Sequence, residues 1–153
     1  MEFKSSALVI KLSVSDVVKS IHFYETILGF KVDPRYTINS KTNTGVDADG
    51  NYGLYSYVQM NQADGGNTAI IGLFKDIGEP YQPLPQTGTV PSFIVDDIET
   101  TLQSFQSQKV VIDSIDGVII NVNTSDDGYT DLFFFFRDPD NNSLVIRQNI
   151  DKK

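Results

Sequence analysis

The chain has 153 residues, 40% of them hydrophobic, and carries 20 Asp and Glu against 12 Lys and Arg, a formal net charge of -8. That length and composition suit a globular fold with a sizeable core, and the acidic balance argues against nucleic-acid binding, which needs a basic face. There is no cysteine, which excludes disulfides, thiolate metal ligands and a cysteine nucleophile.

Met1 to Ser6 shows no basic region before an apolar run, and Leu8 to Leu12 is short and interrupted by Lys11. The expectation is a cytoplasmic chain with no signal peptide and no membrane span. The sequons at Asn123 and Asn141 then carry little meaning.

Leu8, Ile10, Leu12 and Val14 alternate with Val9, Lys11 and Ser13, which predicts a strand with one apolar face. Ser15 or Asp16 can cap a following helix. Val17, Ile21, Tyr24 and Leu28 step along it as one apolar stripe, and Gly29 can stop it in a left-handed conformation. Phe30 to Ile38 reads as a second strand, with Pro34 marking an edge or bulge. Asn39 to Asn51 is polar and loop-like. Tyr52 to Gln62 reads as a third strand, Ala63 to Asn67 as a turn, and Thr68 to Phe74 as a fourth strand.

Asp76 to Gly88 holds prolines 80, 83 and 85 and reads as an extended connection. Beyond it the pattern returns. Val9, Val14, Asp16, Val17, Ile21 and Tyr24 have counterparts 81 residues later in Val90, Val95, Asp97, Ile98, Leu102 and Phe105. Thr89 to Val95 reads as a strand, and Asp96 with Glu99 as a capping-box-like helix start. Val110 to Ser114, Gly117 to Thr124 and Asp131 to Phe136 are strand-like. A turn at Asp138 to Asn142 leads into a last strand, Ser143 to Asn149. Each half is therefore approximately βαβββ. The expected organisation is one α+β domain of two repeats, residues 6–76 and 89–150 joined by 77–88, since neither half could bury its sheet alone.

The carrying motifs are Ser15-Asp16, Ser20-Ile21-His22-Phe23-Tyr24, Leu28-Gly29-Phe30, Val95-Asp96-Asp97 and Arg137-Asp138-Pro139-Asp140-Asn141. In this order and spacing the chain resembles the vicinal oxygen chelate superfamily of glyoxalase I, extradiol dioxygenases, and fosfomycin- and bleomycin-resistance proteins. The resemblance covers nearly the whole sequence. It implies two βαβββ modules forming a curved mixed sheet around a pocket, and a homodimer.

In the family's metal-using members, four strands each send a His, Gln or Glu into the pocket. Counting from the motifs places those positions at Val9, Gly72, Val90 and Val145. None of these can ligate a metal. Residues 9, 90 and 145 also lie opposite the apolar strand faces formed by 8-10-12-14, 91-93-95 and 144-146. Their neighbours Leu8, Ile10, Ile71, Leu73, Thr89, Pro91, Leu144 and Ile146 offer no metal-binding set either. The resemblance thus points toward the metal-free binding members, with no cofactor.

His22, the one histidine, falls off the helical stripe and reads as exposed. Asp138, Asp140 and Asn142 open like a calcium loop, but Ser143 replaces the needed glycine and Asn149 the closing glutamate, so a tight turn is expected. Among Phe133 to Phe136 one alternating pair packs under a helix and the other can line the pocket. Lys11 and Arg147 share strand parity with Val9 and Val145. They either receive an anionic ligand group or pair with nearby Asp side chains. Tyr52, Tyr55 and Tyr57 either stack on a ligand or fill a half-buried strand.

The expected function is metal-independent small-molecule binding, as in sequestration of a drug or metabolite, with Val9, Lys11, Gly72, Val90, Val145 and Arg147 as ligand-binding residues and no catalytic residue. The alternatives are a metal-dependent lyase, isomerase or dioxygenase of the same superfamily, and an interaction module with a vestigial pocket.

Overall fold

The computed structural model describes residues 7–39, 55–63, 69–85 and 87–150. It divides into two compact units, Met1–Pro80 and Tyr81–Lys153, and each is a mixed α+β module.

The first module runs β1 (Leu8–Ser13), α1 (Val17–Leu28), β2 (Phe30–Val32), a 3-10 turn (Pro34–Tyr36), β3 (Ile38–Asn39), β4 (Tyr55–Gln62) and β5 (Ala69–Phe74). Its sheet order is β1-β5-β4-β2, with β3 also on β4. β1 lies parallel to β5, and the other pairs are antiparallel. Asp16 caps α1 by accepting from the Lys19 backbone N–H at 3.1 Å. Gly29 ends the helix at φ 70°, a left-handed conformation that costs glycine little. Val17, Ser20, Ile21 and Tyr24 are the buried residues of the helix. They belong to a core with Leu12, Val58, Met60, Ile71 and Leu73.

The second module runs β6 (Ser92–Ile94), α2 (Ile98–Ser107), β7 (Val111–Ile112), β8 (Asn121–Thr124), β9 (Thr130–Arg137) and β10 (Ser143–Ile150). Its order, β6-β10-β9-β7 with β8 also on β9, repeats the first. The opening strand again lies parallel to the last. The long penultimate strand again shares one edge between two short strands, β7 at Phe136 and Arg137 and β8 at Thr130 to Phe133. Phe134 and Phe136 are fully buried, and the Phe105 ring of α2 meets both edge-on, with centroids 5.8 and 5.0 Å away. Such contacts add to the roughly 1.5–3 kcal/mol of burying each large apolar side chain.

Several expected boundaries shift. The strand expected over Phe30 to Ile38 is interrupted, because Asp33 accepts from the Arg35 backbone N–H at 3.1 Å and starts the turn at Pro34. The cap of α2 is Asp97, not Asp96. Asp97 accepts from Thr100 at 2.9 Å, while the Asp96 carbonyl is taken by the Gln148 side chain. β6 is shorter than Thr89 to Val95, and β7 shorter than Val110 to Ser114. Ile115 and Val118 form an isolated bridge ahead of β8, so Gly117 to Thr124 is not one strand. Most of the proline-rich connection belongs to the second module. Tyr81 donates to the Asp140 carbonyl at 3.0 Å, and Asn141 and Arg137 donate to the carbonyls of Tyr81 and Pro85. Asn39, expected to open the polar loop, ends β3; residues 40–54, 64–68 and 86 lie outside the described residues, and with them the rest of that loop, the start of the third strand and most of the turn after it.

No helix among the described residues is long and apolar enough to cross a membrane. Replacing Asp16 by alanine leaves first-turn N–H groups without their cap. The expected loss is about 1 kcal/mol of stability, read as a lower urea midpoint at unchanged slope.

Candidate functional site

Because strand residues alternate between faces, each sheet has one face against its helix and one turned away. In the second module Phe134, Phe136, Leu144 and Ile146 occupy the helix side. Phe133, Phe135, Val145 and Arg147 share the other, aligned by the register Val145 to Phe135 and Arg147 to Phe133. With Val90, Ser92, Asn123 and Asp131 they line a cavity of about 380 Å³. The rings of Phe133 and Phe135 meet edge-to-face, with centroids 5.7 Å apart. Three sequence-predicted residues, Val90, Val145 and Arg147, come together here.

Arg147 is held by a carboxylate. Its Nε donates to Asp131 Oδ1 at 3.0 Å, and its Nη2 to Oδ2 at 2.6 Å. Asp131 is 4% exposed and Arg147 39%. The hydrogen bonds to Asp131 favour the charged guanidinium. The pairing with an acid, not the reception of an anion, is thus Arg147's role in the protein alone. Asp131 sits diagonally across the β9–β10 pair from Arg147, two residues from its register partner Phe133.

Lys11 follows the same rule. Its Nζ lies 2.5 Å from Asp76 Oδ2 and 5.0 Å from the centre of the Phe74 ring, and it lines neither the cavity beside Arg147 nor the one beside Val9. Val9 lines a separate cavity of about 330 Å³ in the first module with Ala7, Ile70, Asp33, Arg35, Tyr36, Gln59 and Asn61.

A line of polar side chains runs along this face of the first module. Tyr57 Oη donates to Gln59 Oε1 at 3.2 Å, Gln59 Nε2 to Asn61 Oδ1 at 3.2 Å, and Asn61 Nδ2 to Asp33 Oδ2 at 2.9 Å. Arg35 clamps the same carboxylate through Nε and Nη2. An ionised carboxylate only accepts, so Asn61 must present its N–H to Asp33. That sets Gln59 and Tyr57 in turn. The direction of the whole line follows from one buried charge.

Gly72 lies beside Gln59 in the sheet. A Cβ there would stand 2.8 Å from Tyr57 Cε2 and 3.2 Å from Phe74 Cε2. The space above this glycine is therefore filled by the Tyr57 and Phe74 rings, whose centroids are 4.6 Å apart. Tyr57 packs against its sheet; Tyr55's side chain and Tyr52 lie outside the described residues.

These residues do not fit the metal of the family's metal-using members. In the first module Val9 and Gly72 bring no donor, and the Tyr57 and Phe74 rings fill the space above Gly72. In the second module Val90 and Val145 are apolar. Among the described residues no group of three or more His, Cys, Asp or Glu is placed to hold a metal ion. His22 is exposed on α1. Asp138 accepts from the backbone N–H groups of Asp140 and Asn142, both at 2.9 Å, and so spends its carboxylate on closing a tight turn.

Sequence reading missed Asp33, Arg35, Gln59, Asn61, Ser92, Asn123 and Asp131. The parity of Asp131 with Phe133 and Phe135 was a usable signal. For the first-module residues the 3-10 turn that aims Asp33 at Asn61 had to be known.

Arg35's hydrogen bonds hold the Asp33 carboxyl below the usual carboxylate range. A depressed folded pKa contributes stability that is complete above the unfolded value of about 3.9 and is lost as pH falls through the folded one. Asp33→Asn should flatten that acid-side loss. Urea midpoints measured from pH 6 down toward pH 2 should fall less steeply in the variant than in the parent protein.

Among curated proteins none matches the chain in sequence. A glyoxalase/bleomycin resistance protein/dioxygenase from Alicyclobacillus acidocaldarius superposes with a TM-score of 0.64 at 12% identity, over 97% of this chain and 96% of that one. A virulence protein from Salmonella typhimurium gives 0.56 at 21%, over 98% and 100%. A lactoylglutathione lyase from Agrobacterium tumefaciens gives 0.52 at 16%, over 95% and 96%. At these identities the likeness is one of fold. The family model for the Glyoxalase/Bleomycin resistance protein/Dioxygenase superfamily matches residues 7–146, and the chain belongs to that superfamily.

Proposed function

We propose that the protein is a metal-independent small-molecule binder of the glyoxalase/bleomycin-resistance type. The observation that carries this reading is the second-module cavity: two phenylalanine rings and two valines beside one ion pair and two polar side chains. That is a composition suited to burying a ligand's apolar surface while a few polar groups orient it. Sequestration needs no more chemistry than this. The four strand positions that bear metal ligands in the family's metal-using members are filled here by Val9, Gly72, Val90 and Val145, which supports the metal-independent part.

In this reading the ligand contacts are Val90, Val145 and Arg147, joined by Phe133 and Phe135. Gly72 contributes by admitting the Tyr57 ring, and Val9 by lining the first-module cavity. Lys11, tied to Asp76, is taken out of the ligand set. We place the protein in the cytoplasm as a homodimer, by analogy with the superfamily; sedimentation velocity checks the second point, with a single species of twice the chain mass expected.

Two measurements test the reading. Protein purified without chelator and exposed to Zn, Ni, Mn and Fe(II) should carry far less than one metal per chain by elemental analysis. Near-stoichiometric metal would bring a lyase, isomerase or dioxygenase forward instead. In a thermal-shift screen of naphthalene derivatives, binders should lose about tenfold in affinity, equivalent to about 1.4 kcal/mol, when Phe135 is replaced by alanine. A panel in which nothing binds the parent protein would sink the pocket.

A further inference from the structure

We infer that the second-module cavity selects electrically neutral aromatic ligands that carry a hydrogen-bond acceptor at one edge, and rejects their carboxylate counterparts. The inference rests on the pocket reading above and adds the ligand's charge class to it.

Three observations carry it. First, the cavity holds one cation and one anion, Arg147 and Asp131, joined through two short hydrogen bonds. Its fixed charge therefore sums to zero. Second, the two partners are not equally available. Asp131 is 4% exposed and Arg147 39%, so the guanidinium is the partner that a ligand meets. A guanidinium has five N–H donors, and Asp131 engages two of its nitrogens, leaving donors for a ligand acceptor. Third, the surrounding surface is formed largely by Phe133, Phe135, Val90 and Val145.

An aromatic carboxylate entering this site would give up its hydration against apolar walls. Its attraction to Arg147 would be offset by repulsion from the carboxylate already bound there. An aromatic cation would find its one counter-charge buried and already engaged. A neutral carbonyl suffers neither cost. It takes a charge-assisted hydrogen bond from Arg147, while its ring covers the phenylalanines. The chain's net charge of -8 acts in the same direction against anions.

The test is a near-isosteric pair of ligands, the neutral 2-naphthamide and the anionic 2-naphthoate, titrated calorimetrically at neutral pH. The parent protein is expected to bind the amide at least tenfold more tightly. Asp131→Asn keeps the shape of the side chain and removes the compensating charge, and should reverse the order by a similar factor. The double replacement Asp131→Asn with Arg147→Gln restores neutrality and should favour the amide again. Equal or tighter binding of naphthoate by the parent protein leaves the pocket standing and overturns the inference alone. An amide-to-naphthoate ratio that Asp131→Asn does not move overturns it as well. Neither compound binding any of the three proteins overturns the pocket and the inference together. If the single variant does not fold, the ratio in the parent protein decides.

Discussion

The two-residue period of the extended chain is the constraint on which each module depends. It sends Phe134 and Phe136 under α2 and leaves Phe133 and Phe135 on the opposite face, although the four residues are identical and adjacent. The helix claims one face because its stripe of Ile98, Leu102 and Phe105 needs cover. The other face is left to be a cavity wall. The same division in the first module puts Leu12, Val58, Met60, Ile71 and Leu73 in the core. It leaves Val9, Gly72, Gln59 and Asn61 on the far side.

What stands on those far faces is governed by charge compensation. Arg147 is met by Asp131, Lys11 by Asp76, and Arg35 by Asp33. Burying an unpaired ion costs several kcal/mol, whereas a hydrogen-bonded pair recovers much of that cost. Asp131 and Asp33 are both buried, and a guanidinium holds each. The consequence for function is that neither cavity presents a bare cation to an anion. In the first module the same pairing orients Asn61, Gln59 and Tyr57 in one direction toward Asp33, and the Tyr57 ring lies over Gly72.

The repeat, the two helices and their positions, the face occupied by each strand residue, and the superfamily were all legible in the sequence. They follow from local rules: period-two and helical spacing, an Asp before each helix, a glycine after the first. That Val9, Gly72, Val90 and Val145 carry no metal-binding side chain is a property of residue type and needs no coordinates. Boundaries were less legible. Asp96 and Asp97 are chemically equivalent as caps, and the difference was made by Gln148, fifty-two residues away from Asp96 in sequence, which takes the Asp96 carbonyl.

Only the tertiary structure decided what Lys11 and Arg147 do. Strand parity states which way a side chain leaves its strand but not which partner it finds. The partner depends on register between strands distant in the chain, as when the β9–β10 alignment brings Asp131 diagonally to Arg147. The same holds for the proline-rich connection, whose second half is pinned by Arg137 and Asn141, and for Gly72, whose meaning lies in a ring from the neighbouring strand. Composition and periodicity determined the modules. Inter-strand register, through the pairing of charges that could not be buried alone, decided the chemistry of the cavity.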